Sequence, residues 1–220
     1  MKAIAIVSGG MDSITMAYLL PSLGYTDLYF LSFDYGQRHK KEIQFAKLAA
    51  ERLSAYHTVL DLSSIGKLWK SSLTDVSIPV PDGHYASENM LSTIVPNRNA
   101  IMLTVAYGIA VAEHADAVAI GVHTGDHFIY PDCRPGFINA FKTMQEHAVE
   151  GISNANLLTP FLSRSKSDIV RIGSLLGVPY EDTWSCYKGG DIHCGTCGTC
   201  VERKEAFTLA RVKDPTQYDK

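Results

Sequence analysis

A strand–turn–helix unit within the first twenty residues restricts the fold more than any other stretch. The apolar run Ala3-Ile4-Ala5-Ile6-Val7 is too short for a helix and runs into a glycine pair, so it reads as a buried parallel strand. Ser8-Gly9-Gly10-Met11-Asp12-Ser13 follows, and Ile14, Met16, Ala17, Leu19 and Leu20 then continue as an apolar helix. Gly9 and Gly10 permit a tight turn and a close approach of backbone to ligand. Asp12 or Ser13 is expected to cap the helix. Such a turn gathers unpaired N–H groups at the positive end of a helix dipole, an anion site whose usual occupant is phosphate.

Further strands are expected at residues 27–33, 56–60, 116–122 and 157–161. Helices are expected at residues 38–53, 100–115, 135–149 and 165–176, with a last one at 201–211. Strands alternating with helices predict an α/β fold with a doubly wound, five-stranded parallel sheet. Ligands in such sheets lie at the carboxyl ends of strands, where Ser8, Asp34 and residues 121–126 fall. His39, Lys40, Lys41 and Glu42 read as the solvated start of a helix. Ser165 and Asp168 form a capping-box pattern, and Gly177 closes that helix.

Residues 61–95 have no clear period and contain Pro79, Pro81 and Gly83. A loop this long inside a compact domain is expected to cover the active site or to reach a partner subunit. A chain of 220 residues predicts one domain, 1–220. The net charge of −3 argues against a broad basic face and stable nucleic-acid binding. No apolar run reads as long enough to span a membrane, and no signal pattern is visible, so a cytoplasmic enzyme is expected.

Four of the five cysteines, Cys186, Cys194, Cys197 and Cys200, crowd into one tail segment at about 184–212. Clustering of this kind in a cytosolic protein favours metal over disulfides. Four thiolates close a tetrahedral zinc site, one ion per chain, and zinc is favoured by analogy with closed four-cysteine sites. An iron–sulfur cluster uses the same ligands and is the main rival. His193 reads as an exposed turn histidine, and the isolated Cys133 as a buried packing residue.

Ser8 to Ser13 lacks the Gly-Lys-Ser/Thr ending of a Walker A loop and the three-glycine dinucleotide fingerprint. It resembles instead the pyrophosphate loop of the N-type ATP pyrophosphatases, an adenine nucleotide alpha hydrolase-like group. These proteins grip the β- and γ-phosphates while ATP is cut to AMP and pyrophosphate. Other pieces narrow the resemblance: Phe33-Asp34-Tyr35-Gly36-Gln37-Arg38-His39, Val95-Pro96-Asn97-Arg98-Asn99, Gly121-Val122-His123, Tyr130-Pro131-Asp132-Cys133-Arg134, Ser165-Lys166 and the four-cysteine tail. In this order, spanning nearly the whole chain, they resemble the 7-cyano-7-deazaguanine synthase family of queuosine precursor biosynthesis.

The resemblance implies a ligase that converts 7-carboxy-7-deazaguanine, ammonia and ATP to a nitrile, with Mg2+ on the nucleotide, zinc in the tail and a homodimeric assembly. It implies that Ser8, Gly9, Gly10, Met11, Asp12, Ser13 and Arg98 hold the nucleotide, and that Asp12, Ser13 and Lys166 are catalytic. Asn99, Asp132, Cys133 and Arg134 are expected at the substrate, with Asp132 on a guanine-like edge and Arg134 on the carboxylate. Alternatives are a related enzyme that stops at the amide or joins the carboxylate to another amine, and a tRNA-thiolating ATP pyrophosphatase.

Overall fold

The computed structural model describes all 220 residues except the side chains of Asp126 and His127, so the expectation at residues 121–126 lies partly outside the described residues. Strand β1 (Lys2–Ile6) pairs in parallel with β2 (Asp27–Asp34) on one side and β4 (Ala117–Ala119) on the other. Strands β3 (Tyr56–Asp61) and β5 (Asn156–Leu158) form the two edges of a five-stranded parallel sheet, in the order β3-β2-β1-β4-β5. The chain winds outward from β1 through β2 to β3, then returns to build β4 and β5 on the opposite side. The order therefore reverses between β1 and β4, which is where open α/β sheets bind ligands.

Side-chain alternation along β1 builds both layers. Ala3, Ala5 and Val7 face helices α1 (Met11–Leu19), α2 (Glu42–Leu53), α6 (Lys166–Leu175) and α7 (Gly198–Ala210). Ile4 and Ile6 face α4 (Arg98–Ala112) and α5 (Pro135–Ala148). Burying a residue such as Leu103 of α4 or Phe30 of β2 contributes about 1.5–3 kcal/mol, so the two layers hold the ends of β1 and β4 rigid. By length and composition alone Glu88–Ala112 is apolar enough to cross a membrane, contrary to expectation. Its Leu103, Ala106 and Ala110 are fully buried on the sheet, which accounts for that composition.

Several local expectations are corrected. Helix α1 is not capped by Asp12 or Ser13: its N-cap is Gly10, and no side chain caps its first turn. Helix α2 starts at Glu42, because residues 38–41 form a turn in which Arg38 Nη2 donates to the carbonyls of Asp75 and Ile78, both at 2.7 Å. His39 and Glu42 are buried rather than solvated. Strand β4 is shorter than expected because the chain leaves the sheet before Gly121, which is pressed against the backbone of Asp12 and Ser13. Strand β5 ends early as well, at Leu158. Helix α4 starts at Arg98 behind Asn97 in the left-handed region (φ 59°), and α7 starts at Gly198. The capping box of Ser165 and Asp168 forms in full.

The stretch 61–95 contains a short helix α3 (Ser63–Gly66) and a 3-10 turn (Glu88–Thr93). It is sewn to the cysteine tail: Gly83 N–H donates to the Thr196 carbonyl at 3.0 Å, and Asp82 accepts from Lys188 and Thr196, each at 2.6 Å.

Candidate active site

The cleft opens at the carboxyl ends of β1 and β4 and encloses about 1300 Å³, counting its mouth. Ser8, Gly10, Met11, Asp12 and Ser13 line one end. Ser8 N–H donates to Ser13 Oγ at 3.2 Å, Gly10 N–H to Ser8 Oγ at 3.2 Å, and Ser13 Oγ to the Gly10 carbonyl at 3.0 Å. The two hydroxyls thus brace the turn instead of capping the helix, which leaves the first-turn N–H groups of α1 for an anion.

Gly9 does not line the cleft. It has φ +99°, and a Cβ there would overlap the carbonyl of Glu42, so this glycine admits α2 beside the loop. The Gly9 carbonyl accepts from Trp184 N–H at 2.9 Å, tying the loop to the tail.

A charged cluster faces the loop. Lys166 Nζ lies 3.0 Å from Asp12 Oδ2 and 2.7 Å from Glu202 Oε2, and His123 Nε2 lies 3.6 Å from Asp12 Oδ2. Burial pushes the Asp12 pKa up, but Lys166 and then His123 outweigh it and hold the carboxyl below its ordinary value. Asp12 Oδ1 is buried without a hydrogen-bond partner among the described residues. Glu202 belongs to this site although its sequence context gives no signal, since a glutamate beside a metal motif reads as a surface charge, whereas His123 falls within the stretch 121–126 expected at this strand end.

The other end of the cleft is lined by Tyr35, His39, Glu42, Arg98, Asn99, Tyr130, Cys133 and Tyr187. Arg98 Nη1 donates to Tyr35 Oη at 3.3 Å. Burial works against charge on Arg98, but Tyr35, Tyr187, Asp132 and Cys133 together raise its pKa, so the guanidinium stays charged. Asn99 Nδ2 donates to Cys133 Sγ at 3.2 Å. Asp132 does not line the cleft: its Oδ2 accepts the Asn99 backbone N–H at 2.9 Å and so caps α4. Arg134 is exposed and outside the lining, and Asp34 pairs with Lys40 away from it.

The Sγ atoms of Cys186, Cys194, Cys197 and Cys200 all lie within 4.8 Å of one another. Four cysteine sulfurs converging at this spacing fit a metal ion. His193 is buried, not exposed: it packs 4.3 Å from Trp184, and its Nε2 accepts from Ser185 N–H at 3.0 Å.

Sheet order, an amide-lined turn at the switch point and the four-cysteine tail define a doubly wound α/β protein of the adenine nucleotide alpha hydrolase-like class. Two solved structures share the fold. They are NMN synthetase from Francisella tularensis (TM-score 0.52, 13% identity, 96% of this chain and 78% of that one) and the U34-tRNA thiolase NcsA from Methanococcus maripaludis (TM-score 0.51, 14% identity, 94% of this chain and 64% of that one). The family is narrower. A family model described as "Queuosine biosynthesis protein QueC" matches residues 2–211. Proteins named 7-cyano-7-deazaguanine synthase from Brucella anthropi and Allorhizobium ampelinum are each 58% identical over all 220 residues, covering 94% and 93% of those chains. The chain belongs to the QueC family.

Proposed function

We propose that this chain converts 7-carboxy-7-deazaguanine and ammonia to 7-cyano-7-deazaguanine in two ATP-dependent steps, each releasing AMP and pyrophosphate. The observation that carries the reading is the uncapped first turn of α1 facing Lys166, in one cleft with Arg98 and Asn99. Identity to the named synthases along the whole chain supports the choice of substrate.

A carboxylate resists ammonia because oxide is a poor leaving group. Attack of its oxygen on the α-phosphate of ATP makes an acyl-adenylate, whose AMP leaves readily. Ammonia then gives the amide. The amide oxygen attacks a second α-phosphate, and its loss with AMP leaves the nitrile. Both steps need pyrophosphate stabilised as it departs. The N–H groups of Met11, Asp12 and Ser13 and the ammonium of Lys166 do that, without reorganising at the moment of reaction. Mg2+ neutralises pyrophosphate charge when bound, and the unpartnered Asp12 Oδ1 is a fitting ligand. Arg98 grips the nucleotide, while Asn99 and Cys133 border the deazaguanine. Asp132 acts through Asn99 by fixing the start of α4.

The tail holds one zinc ion. Tetrahedral zinc with bonds of about 2.3 Å sets its sulfurs about 3.8 Å apart. Cys194 and Cys200 lie 3.9 Å apart in this chain. A four-iron cluster binds each thiolate to a different iron and spreads the sulfurs further. A homodimer is the assembly that the family resemblance and the long stretch 61–95 favour. Sedimentation as a monomer at micromolar concentration would refute it.

The test is incubation with 7-carboxy-7-deazaguanine, ammonium and Mg-ATP, followed by mass analysis. The nitrile is expected. Accumulation of the amide alone, or no deazaguanine product, would overturn the assignment.

A further inference from the structure

The cleft contains a polar pair that nucleotide gripping does not use. Glu42 opens α2, and its carbonyl packs against Gly9, so its side chain stands beside the phosphate loop. Glu42 lines the cleft although it is only 8% exposed. Oε1 accepts from Gln37 Nε2 at 3.3 Å, and His39 Nε2 lies 3.5 Å away. Gln37 is fixed in turn, since its amide donates to the Phe33 carbonyl at 3.0 Å and accepts from Tyr35 N–H at 2.9 Å. His39 is 4% exposed and also lines the cleft, and its Nδ1 is buried with no hydrogen-bond partner among the described residues. A buried ring nitrogen with a free lone pair beside a carboxyl at the cleft can receive a small polar ligand.

The reaction proposed above needs such a ligand. Ammonia has three N–H donors and one lone pair, and it must shed a proton when it attacks. Among the described residues, two other acidic groups at the loop are engaged: Asp12 and Glu202 both bind Lys166. We propose that Glu42 is the general base that takes the proton of the attacking ammonia, and that His39 Nδ1 accepts a second ammonia N–H to aim the lone pair.

In this step, which rests on the proposed adenylation chemistry, the nitrogen lone pair forms the C–N bond to the acyl carbon. One N–H proton passes to the Glu42 carboxylate, and the C–O bond to AMP breaks with its electron pair leaving on the phosphate. Burial raises the Glu42 pKa to about 8, outweighing the Gln37 amide and Arg98, which act to lower it. The groups facing it are His39 and Gln37 from the turn before α2, Arg98 from α4 and Tyr35 after β2. A base near that value is matched to work near neutral pH.

The test separates the half-reactions. Substrate-dependent exchange of pyrophosphate into ATP, run without ammonia, reads adenylation alone. Amide formation from the preformed acyl-adenylate reads the ammonia step. Glu42→Gln is expected to slow the ammonia step roughly 100-fold or more while exchange changes less than about threefold, the range general bases contribute. At a fixed concentration of free ammonia, the wild-type ammonia step rises with pH through about 8, and Glu42→Gln loses that rise. His39→Gln is expected to slow the same step about tenfold and to keep the pH rise. Parallel loss of exchange and amide formation in Glu42→Gln, or an unchanged ammonia step, would overturn the proposal. Absence of exchange in the wild type would instead refute the adenylation chemistry beneath it.

Discussion

Lys166 Nζ lies 2.7 Å from Glu202 Oε2, so the first helical residue of α6 is held by a side chain two positions beyond a cysteine of the metal tail. The same ammonium lies 3.0 Å from Asp12, and the three groups align the phosphate loop, α6 and α7. Replacing Lys166 by Met leaves two carboxylates facing one cleft. Pyrophosphate exchange should fall roughly 100-fold or more, the usual effect of removing one donor to a developing charge. Asp12 should titrate at higher pH, since its largest influence is burial and its chief cation is gone. Unchanged exchange would remove Lys166 from the chemistry.

Gly9→Ala tests the packing of α2 on the loop. The new methyl meets the Glu42 carbonyl, and the residue sits at φ +99°. A loss of more than about 2 kcal/mol is expected, visible as a Tm lower by about 4–8 °C. ATP-dependent turnover should fall with it, whereas Gly36→Ala, whose Cβ meets nothing, should lose only the strain of its positive φ.

Cys197→Ser should abolish stoichiometric zinc and lower Tm by more than about 5 °C, because the tail has little core of its own apart from the cysteines, Val80 and Trp184. The loop should loosen too, since Trp184 N–H holds the Gly9 carbonyl. Metal analysis of reductant-purified protein checks the first claim, and amide exchange at residues 8–13 checks the second. Full zinc retention in the variant would contradict the ligand set.

Glu42 also leaves a mark on stability. Its ordinary pKa is 4.5 and its folded value about 8, so between these the folded chain holds the extra proton. Raising pH across that window therefore destabilises the fold. Glu42→Gln carries no such proton, and its Tm should gain on wild type by roughly 5 °C or more between pH 5 and pH 8. A constant difference across that range would show that Glu42 is not buried as an acid.

The phosphate loop and the four cysteines are legible in the sequence because each is a contiguous chemical pattern whose spacing fixes its geometry. The doubly wound parallel sheet follows from five strands alternating with helices. Glu202 and Glu42 are not legible, since each enters the cleft only through packing between elements far apart in the chain. His39 and His193 read as exposed because a histidine in a polar turn carries no sign of the aromatic neighbour that buries it: Tyr187 at 5.1 Å for the first, Trp184 at 4.3 Å for the second. Asp132 shows the converse. Its motif suggests a ligand-binding acid, and its carboxylate caps α4.

The most direct test follows oxygen. With 7-carboxy-7-deazaguanine labelled by 18O in both carboxylate oxygens, each substrate oxygen should leave bonded to the α-phosphorus. Labelled AMP should accumulate, two per nitrile, and pyrophosphate should remain unlabelled. Label in inorganic phosphate with ADP as the nucleotide product would show attack at the γ-phosphate, and the role assigned to the Ser8 to Ser13 turn would be wrong.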